Sequence, residues 1–128
     1  DFILGMVSAG DDETIKSITD EELREAKYCQ KAEIYEQLGK YQEAEEVYKK
    51  AEKEYFQNSI NIYTGHLSVL CKKQELKTTD VEQWDYEALS SLYEEGSLVP
   101  GIKNDYRWKQ LTQKLSPLFE RMEGDTDV

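Results

Sequence analysis

Ala44, Val47, Tyr48, Ala51 and Tyr55 fall on one stripe at i, i+3, i+4, i+7 spacing, with charged residues filling the gaps. That period is helical, and it predicts a helix starting at Tyr41. A helix before it spans about Asp20 to Leu38 and stops at Gly39, where a left-handed residue is wanted. Thr19 to Glu22 has the capping-box spacing: Thr19 accepts first-turn N–H groups, Glu22 reaches back, and the acids favour a helix start. Ile60, Tyr63, Leu67 and Leu70, flanked by Ile62 and Val69, predict a third helix over 59–76, weakened at Gly65. The Asn58–Asn61 stretch leaves open whether the second and third helices are continuous. Thr78–Asp80 reads as a cap for a fourth helix over 81–95, with Val81, Trp84, Ala88, Leu89 and Leu92 inward and Gly96 closing it. Ser97–Asn104 is a loop whose Leu98, Val99 and Ile102 are expected to pack down. Asn104 or Asp105 then caps a fifth helix striped by Trp108, Leu111, Leu115, Leu118 and Met122. Pro117 falls inside that stripe and should kink or shorten the helix.

The fold class is therefore all-α. A length of 128 residues allows one domain. Two Trp, nine Tyr and three Phe argue against disorder. The expected organisation is an N-terminal segment at 1–18, a single helical domain at 19–123, and a flexible tail at 124–128. The chain opens on Asp1 rather than Met, which suggests a piece of a longer protein, with Phe2–Val7 packing against a part outside it.

A net charge of −11, with no basic run longer than two residues, excludes a phosphate-tracking surface. Nucleic acid and anionic membrane are thus poor partners, and a basic protein or peptide fits better. Phe2–Val7 is far too short to span a bilayer and lacks the positive flank of a secretory signal. Cys29 and Cys71 lie in different helices without a CxxC, so neither a disulfide framework nor a zinc site is expected. Cytosolic or nuclear residence and buried, inert thiols follow from that.

Little here points to catalysis. His66 is the single histidine, and no Cys or carboxylate stands near it in sequence at ligand spacing, so it reads as a packing or surface residue. Asp11–Asp12, Glu45–Glu46 and Glu94–Glu95 are adjacent acids, which diverge on a helix and read as a solvated face. Gly-rich phosphate loops, GxSxG and HExxH motifs are absent from the sequence. No catalytic residue, cofactor or metal is expected. Convergent titratable groups around His66 would reopen that question.

The segment 25–58 resembles a tetratricopeptide repeat, a helix–turn–helix unit with a sparse signature. Tyr28 takes the leading aromatic position, Ala32 the small one and Tyr35 the first-helix tyrosine. Gly39 stands at the turn, Tyr41 after it, and Ala44, Tyr48 and Ala51 in the second helix. Lys31 and Phe56 depart from the usual leucine and proline. The alanines permit a close crossing, and the tyrosines fill the space beside it with hydroxyls at the rim. Such a unit needs neighbours to bury both faces. A shift of 34 residues places Ile62, His66, Val69, Lys73 and Glu75 at the signature positions, so a second repeat is absent or heavily degenerate. Two or three further helices should instead pack behind the hairpin, as a right-handed helical repeat or a small bundle.

The resemblance implies protein or peptide binding in a concave groove lined by first helices, which here would carry Cys29, Glu33 and Glu36, with Arg24 on the same candidate face. Relatives that bind acidic chaperone tails place Lys and Asn where this chain has Cys29 and Glu33. A desolvated like-charge contact costs roughly several kcal/mol, which argues against that ligand. The expected function is a non-catalytic adaptor or scaffold module docking a partner through an acidic groove. The alternative is a structural helical domain that braces a larger protein or complex. Trp84 and Trp108 read as core.

Overall fold

Asp20 starts the first helix: its carboxylate accepts the Leu23 N–H at 2.9 Å. This is the side-chain cap that satisfies an orphan donor of the first turn. The computed structural model describes residues 20–126. Thr19, the 1–18 segment with Phe2–Val7 and Asp11–Asp12, and residues 127–128 lie outside the described residues. The described residues form five helices in order: α1 Glu21–Gln37, α2 Tyr41–Glu54, α3 Ile60–Glu75, α4 Tyr86–Ser97 and α5 Tyr106–Thr126. Tight 3-10 turns sit at Val81–Gln83 and Ile102–Asn104, and no strand occurs among the described residues.

Gly39 has φ +76°, the left-handed conformation that glycine adopts without a Cβ penalty. Its N–H bonds Glu36 O at 2.9 Å, and the Lys40 N–H bonds Tyr35 O at 2.8 Å, closing α1 against α2. Ala32, Ala44 and Ala51 are fully buried, with Tyr28, Tyr48 and Tyr55 packed beside them. Two of the tyrosine hydroxyls, those of Tyr28 and Tyr55, reach partners at the edge of the hairpin, whereas Tyr48 is buried against Gly65. Tyr28 donates to Glu54 Oε2 at 2.8 Å and Tyr55 to the Glu21 carbonyl at 2.9 Å, and the two rings meet edge to face at 6.4 Å.

Helices α2 and α3 are separate. The chain leaves α2 at Glu54, passes through Gln57 at φ +53°, and restarts where the Ser59 hydroxyl accepts the Ile62 N–H at 3.2 Å. Gly65, expected only to weaken α3, makes room for Tyr48: a Cβ there would lie 2.4 Å from the phenol oxygen.

The fourth helix departs from the sequence-based boundaries. Val81–Gln83 is a 3-10 turn capped by Asp80, and α4 begins only after Asp85, which accepts the Ala88 N–H at 3.2 Å. Two bonds back to the end of α3 and the turn after it hold the delay. The Trp84 indole N–H donates to Thr78 O at 2.8 Å, and the Asp85 N–H donates to the Gln74 side chain at 3.1 Å. Gly96 does not close α4 but lies within it, buried where a Cβ would come 2.5 Å from the Trp108 ring. Val99 and Ile102 pack down, whereas Leu98 stays 65% exposed. Asp105 caps α5 through the Arg107 and Trp108 N–H groups. The helix continues past Pro117 to Thr126, so the proline does not shorten it, and helical backbone extends into the stretch expected to be a tail from 124.

Two apolar clusters make the core, and α3 joins them. Ile62 and Val69 complete the α1–α2 cluster. Tyr63, Leu67, Leu70 and Cys71 meet Trp84, Leu89, Trp108, Leu115 and Leu118 of the second. Both tryptophans are core: Trp108 stacks on Tyr93 at 5.9 Å, and Trp84 lies beneath the Lys114 ammonium at 5.6 Å.

Candidate functional site

Helix α1 touches α3, and α3 touches α5. Polar side chains tie the three together. Asn61 of α3 donates to Glu25 of α1 at 2.9 Å and accepts from Arg107 of α5 at 2.8 Å. Further along, Lys72 of α3 pairs with Glu36 of α1, and Lys114 of α5 pairs with Glu75 of α3. Glu25–Asn61 and Glu36–Lys72 are each separated by 36 residues, so α1 and α3 run parallel and in register.

Between these helices lie two adjoining hollows of about 370 and 290 Å³. Both include Glu33, Tyr48, Gly65 and Arg107 in their walls. Cys29 and Glu36 line one hollow each. The three groove residues expected from the sequence thus stand on one face of α1. Arg24 does not join them; it turns to the α2 side, pairs with Glu54 at 2.5 Å and lies over the Tyr55 ring at 5.9 Å.

The groove is not uniformly acidic. Arg107 and Lys114 of α5 face Glu33 and Glu36 of α1 across the larger hollow, and Lys72 already neutralises Glu36. Glu33 is exposed and forms no ion pair among the described residues. On the floor, Thr64 is 3% exposed and its hydroxyl has no hydrogen-bond partner among the described residues. Ser68 stands one turn further on. Burial, with Glu25 and Glu33 adding to it, pushes the Cys29 thiol up to about 12, and burial does the same for Cys71. Neither is a thiolate nucleophile at neutral pH.

A second polar centre lies between α2 and α3. His66 is buried, its Nδ1 2.5 Å from Glu52 Oε2 and its Nε2 3.0 Å from Glu45 Oε2. The Tyr48 ring stacks on the imidazole at 6.2 Å, and Lys73 bonds the other Glu45 oxygen at 2.6 Å. Glu45 is therefore not part of a solvated face, and carboxylates do stand beside His66. They come from the neighbouring helix, where no spacing along α3 could reveal them. Two carboxylates on opposite nitrogens favour the doubly protonated ring. Burial opposes this, yet the His66 pKa is raised above its usual value. The His66 bond holds Glu45 down at about 2, while burial pushes Glu52 up. Both ring nitrogens are occupied, so the imidazole has no free lone pair for a ligand. Among the described residues no group of three or more His, Cys, Asp or Glu is placed to hold a metal, and no described helix is long and apolar enough to cross a membrane.

The sequence reading missed Thr64, Arg107, Lys114 and the Glu45–His66–Glu52 bridge. One signal was available for the first. Thr64 and Ser68 stand 36 residues after Tyr28 and Ala32, a stride that a test at 34 steps over.

The geometry defines a class: a helical hairpin whose first helix packs in parallel beside the helix that follows the hairpin. Comparison with family models makes the class specific. The tetratricopeptide repeat matches residues 28–58, and the α1–α2 hairpin is a repeat of that type. Repeats of this type are protein–protein interaction elements. Neither the curated proteins nor the solved structures gave a match.

Proposed function

We propose that this chain is a non-catalytic docking module, an adaptor or scaffold that seats a partner's peptide segment in the groove walled by α1 and α5 and floored by α3. The observation that carries the reading is the placement of Cys29, Glu33 and Glu36, on the first helix of the repeat, around hollows that the neighbouring helices leave open. Repeats of this class use that face for partners, and the match at 28–58 supports the analogy. Cys29 and Cys71, unpaired in separate helices, fit residence in a reducing compartment, cytosol or nucleus.

A photo-crosslinking amino acid placed at Gln110, on the groove wall, should capture partner protein from lysate. The same group at Lys103, outside the groove, should capture little. Equal capture at both positions would remove the groove from the account.

A further inference from the structure

The groove has a polarity that narrows what it can hold. One wall is α1, with Glu25, Glu33 and Glu36; the other is α5, with Arg107 and Lys114. Most of these charges are partly engaged at the margins. Glu25 accepts from Asn61, Glu36 takes Lys72, and Lys114 takes Glu75. Arg107 holds Asp105 and Asn61 through Nε and one terminal nitrogen. Its other terminal nitrogen and two of the three Lys114 protons remain available. On the acidic wall Glu33 is uncommitted.

A segment of purely basic residues would set charge against Arg107 and Lys114. A purely acidic one would meet Glu33. Only an occupant with both signs on opposite edges satisfies both walls, since like-charge juxtaposition is the costly term in recognition.

The floor adds a second constraint. A buried hydroxyl without a partner is rare and destabilises the fold that carries it. Thr64 Oγ1 is such a group, and Thr64 lines the larger hollow with Ser68 and Gly65. An extended peptide brings a main-chain donor and acceptor at every residue, while a helix has already used its own. Extended chains also send successive side chains to opposite sides, which is what two walls of opposite charge require.

Resting on the docking reading above, we infer that the occupant is an extended peptide segment with a basic and an acidic residue at odd spacing. The basic side chain faces Glu33, the acidic one faces Arg107 and Lys114, and the main chain supplies the hydrogen bond that Thr64 lacks.

The test is a displayed library of random heptapeptides panned on the 128-residue chain, with one enriched peptide then measured by fluorescence anisotropy. Enriched sequences should pair Lys or Arg with Asp or Glu one or three positions away. Glu33→Lys should weaken binding by about two- to fivefold, the size of an exposed charge pair, and a peptide with its basic residue changed to Glu should recover it. Thr64→Val should weaken binding while holding or raising the melting temperature, because the unpaired hydroxyl is gone and the shape is kept. Enriched peptides without the paired charges, indifference to Glu33→Lys, or Thr64→Val binding like the parent would each overturn the inference and leave the docking reading standing. A library that yields no enriched peptide would overturn both.

Discussion

His66 sits where charge and burial pull in opposite directions. The groups facing it are Glu45 and Glu52 from α2, with Tyr48 stacked on it, Lys73 of its own helix acting through Glu45, and Glu95 of α4 acting on Glu52. The folded-state pKa of His66 is raised, so its stabilisation is complete below the unfolded value of 6.5 and disappears as pH rises through the folded value. Glu52, also raised, acts in the same sense above 4.5. Glu45, lowered to about 2, acts oppositely and loses its contribution as pH falls from 4.5 toward 2. Melting curves of the parent and of His66→Gln should therefore converge as pH climbs above 6.5, by about 1.4 kcal/mol for each unit by which the His66 value is raised. A gap between them that ignores pH would mean that folding leaves the His66 pKa unchanged, and one that shifts in the parent's disfavour as pH falls below 6.5 would mean that His66 is neutral in the fold. Gly65 gives a second expectation at this scale. Alanine there collides with Tyr48 and should destabilise by about 1–3 kcal/mol, with much of the loss recovered in a Tyr48→Leu background. An unperturbed Gly65→Ala protein would show that the ring is free to move aside.

Among the elements, α1 and α2 are the most readable from sequence, because their determinants are local. Gly39 marks the turn, the alanines mark the crossing, and the tyrosine spacing marks the stripe. Ala44→Trp should accordingly overpack that crossing and destabilise the protein by about 1–3 kcal/mol; unchanged thermal melting would break the pairing. Helix α3 was legible in its stripe but not in its stride, since a 36-residue spacing shows only once Glu25 meets Asn61 and Glu36 meets Lys72. The start of α4 was hidden for a related reason. Val81 and Trp84 have helical spacing, but bonds to Thr78 and Gln74 hold the chain in a tight turn first, and neither partner is local to the stripe. The acidic wall of the groove could be read from α1 alone. The basic wall could not, because Arg107 lies 46 residues from the Asn61 that aligns it.

For the molecule as a whole, α3 is the shared element. One side of it completes the hairpin cluster, and the other buries Tyr63, Leu67, Leu70 and Cys71 against α4 and α5. A chain ending at Lys77 would expose that second side. Each large apolar side chain is worth about 1.5–3 kcal/mol of burial, and a folded domain has only about 5–15 kcal/mol of net stability. The 1–77 fragment should melt without a sharp transition in circular dichroism. A cooperative melt close to that of the full chain would show that the repeat stands by itself.

The hairpin is fastened at its open end as well as at its turn. Glu54 receives both the Tyr28 hydroxyl and the Arg24 guanidinium, and Tyr55 reaches the first turn of α1. The covalent link through Gly39 is therefore not the sole tether between the two helices. A protease cut at exposed Lys40 should leave a nicked protein whose halves stay docked, and that makes the tip of the hairpin a tolerant place to splice in a reporter or to relocate the chain termini.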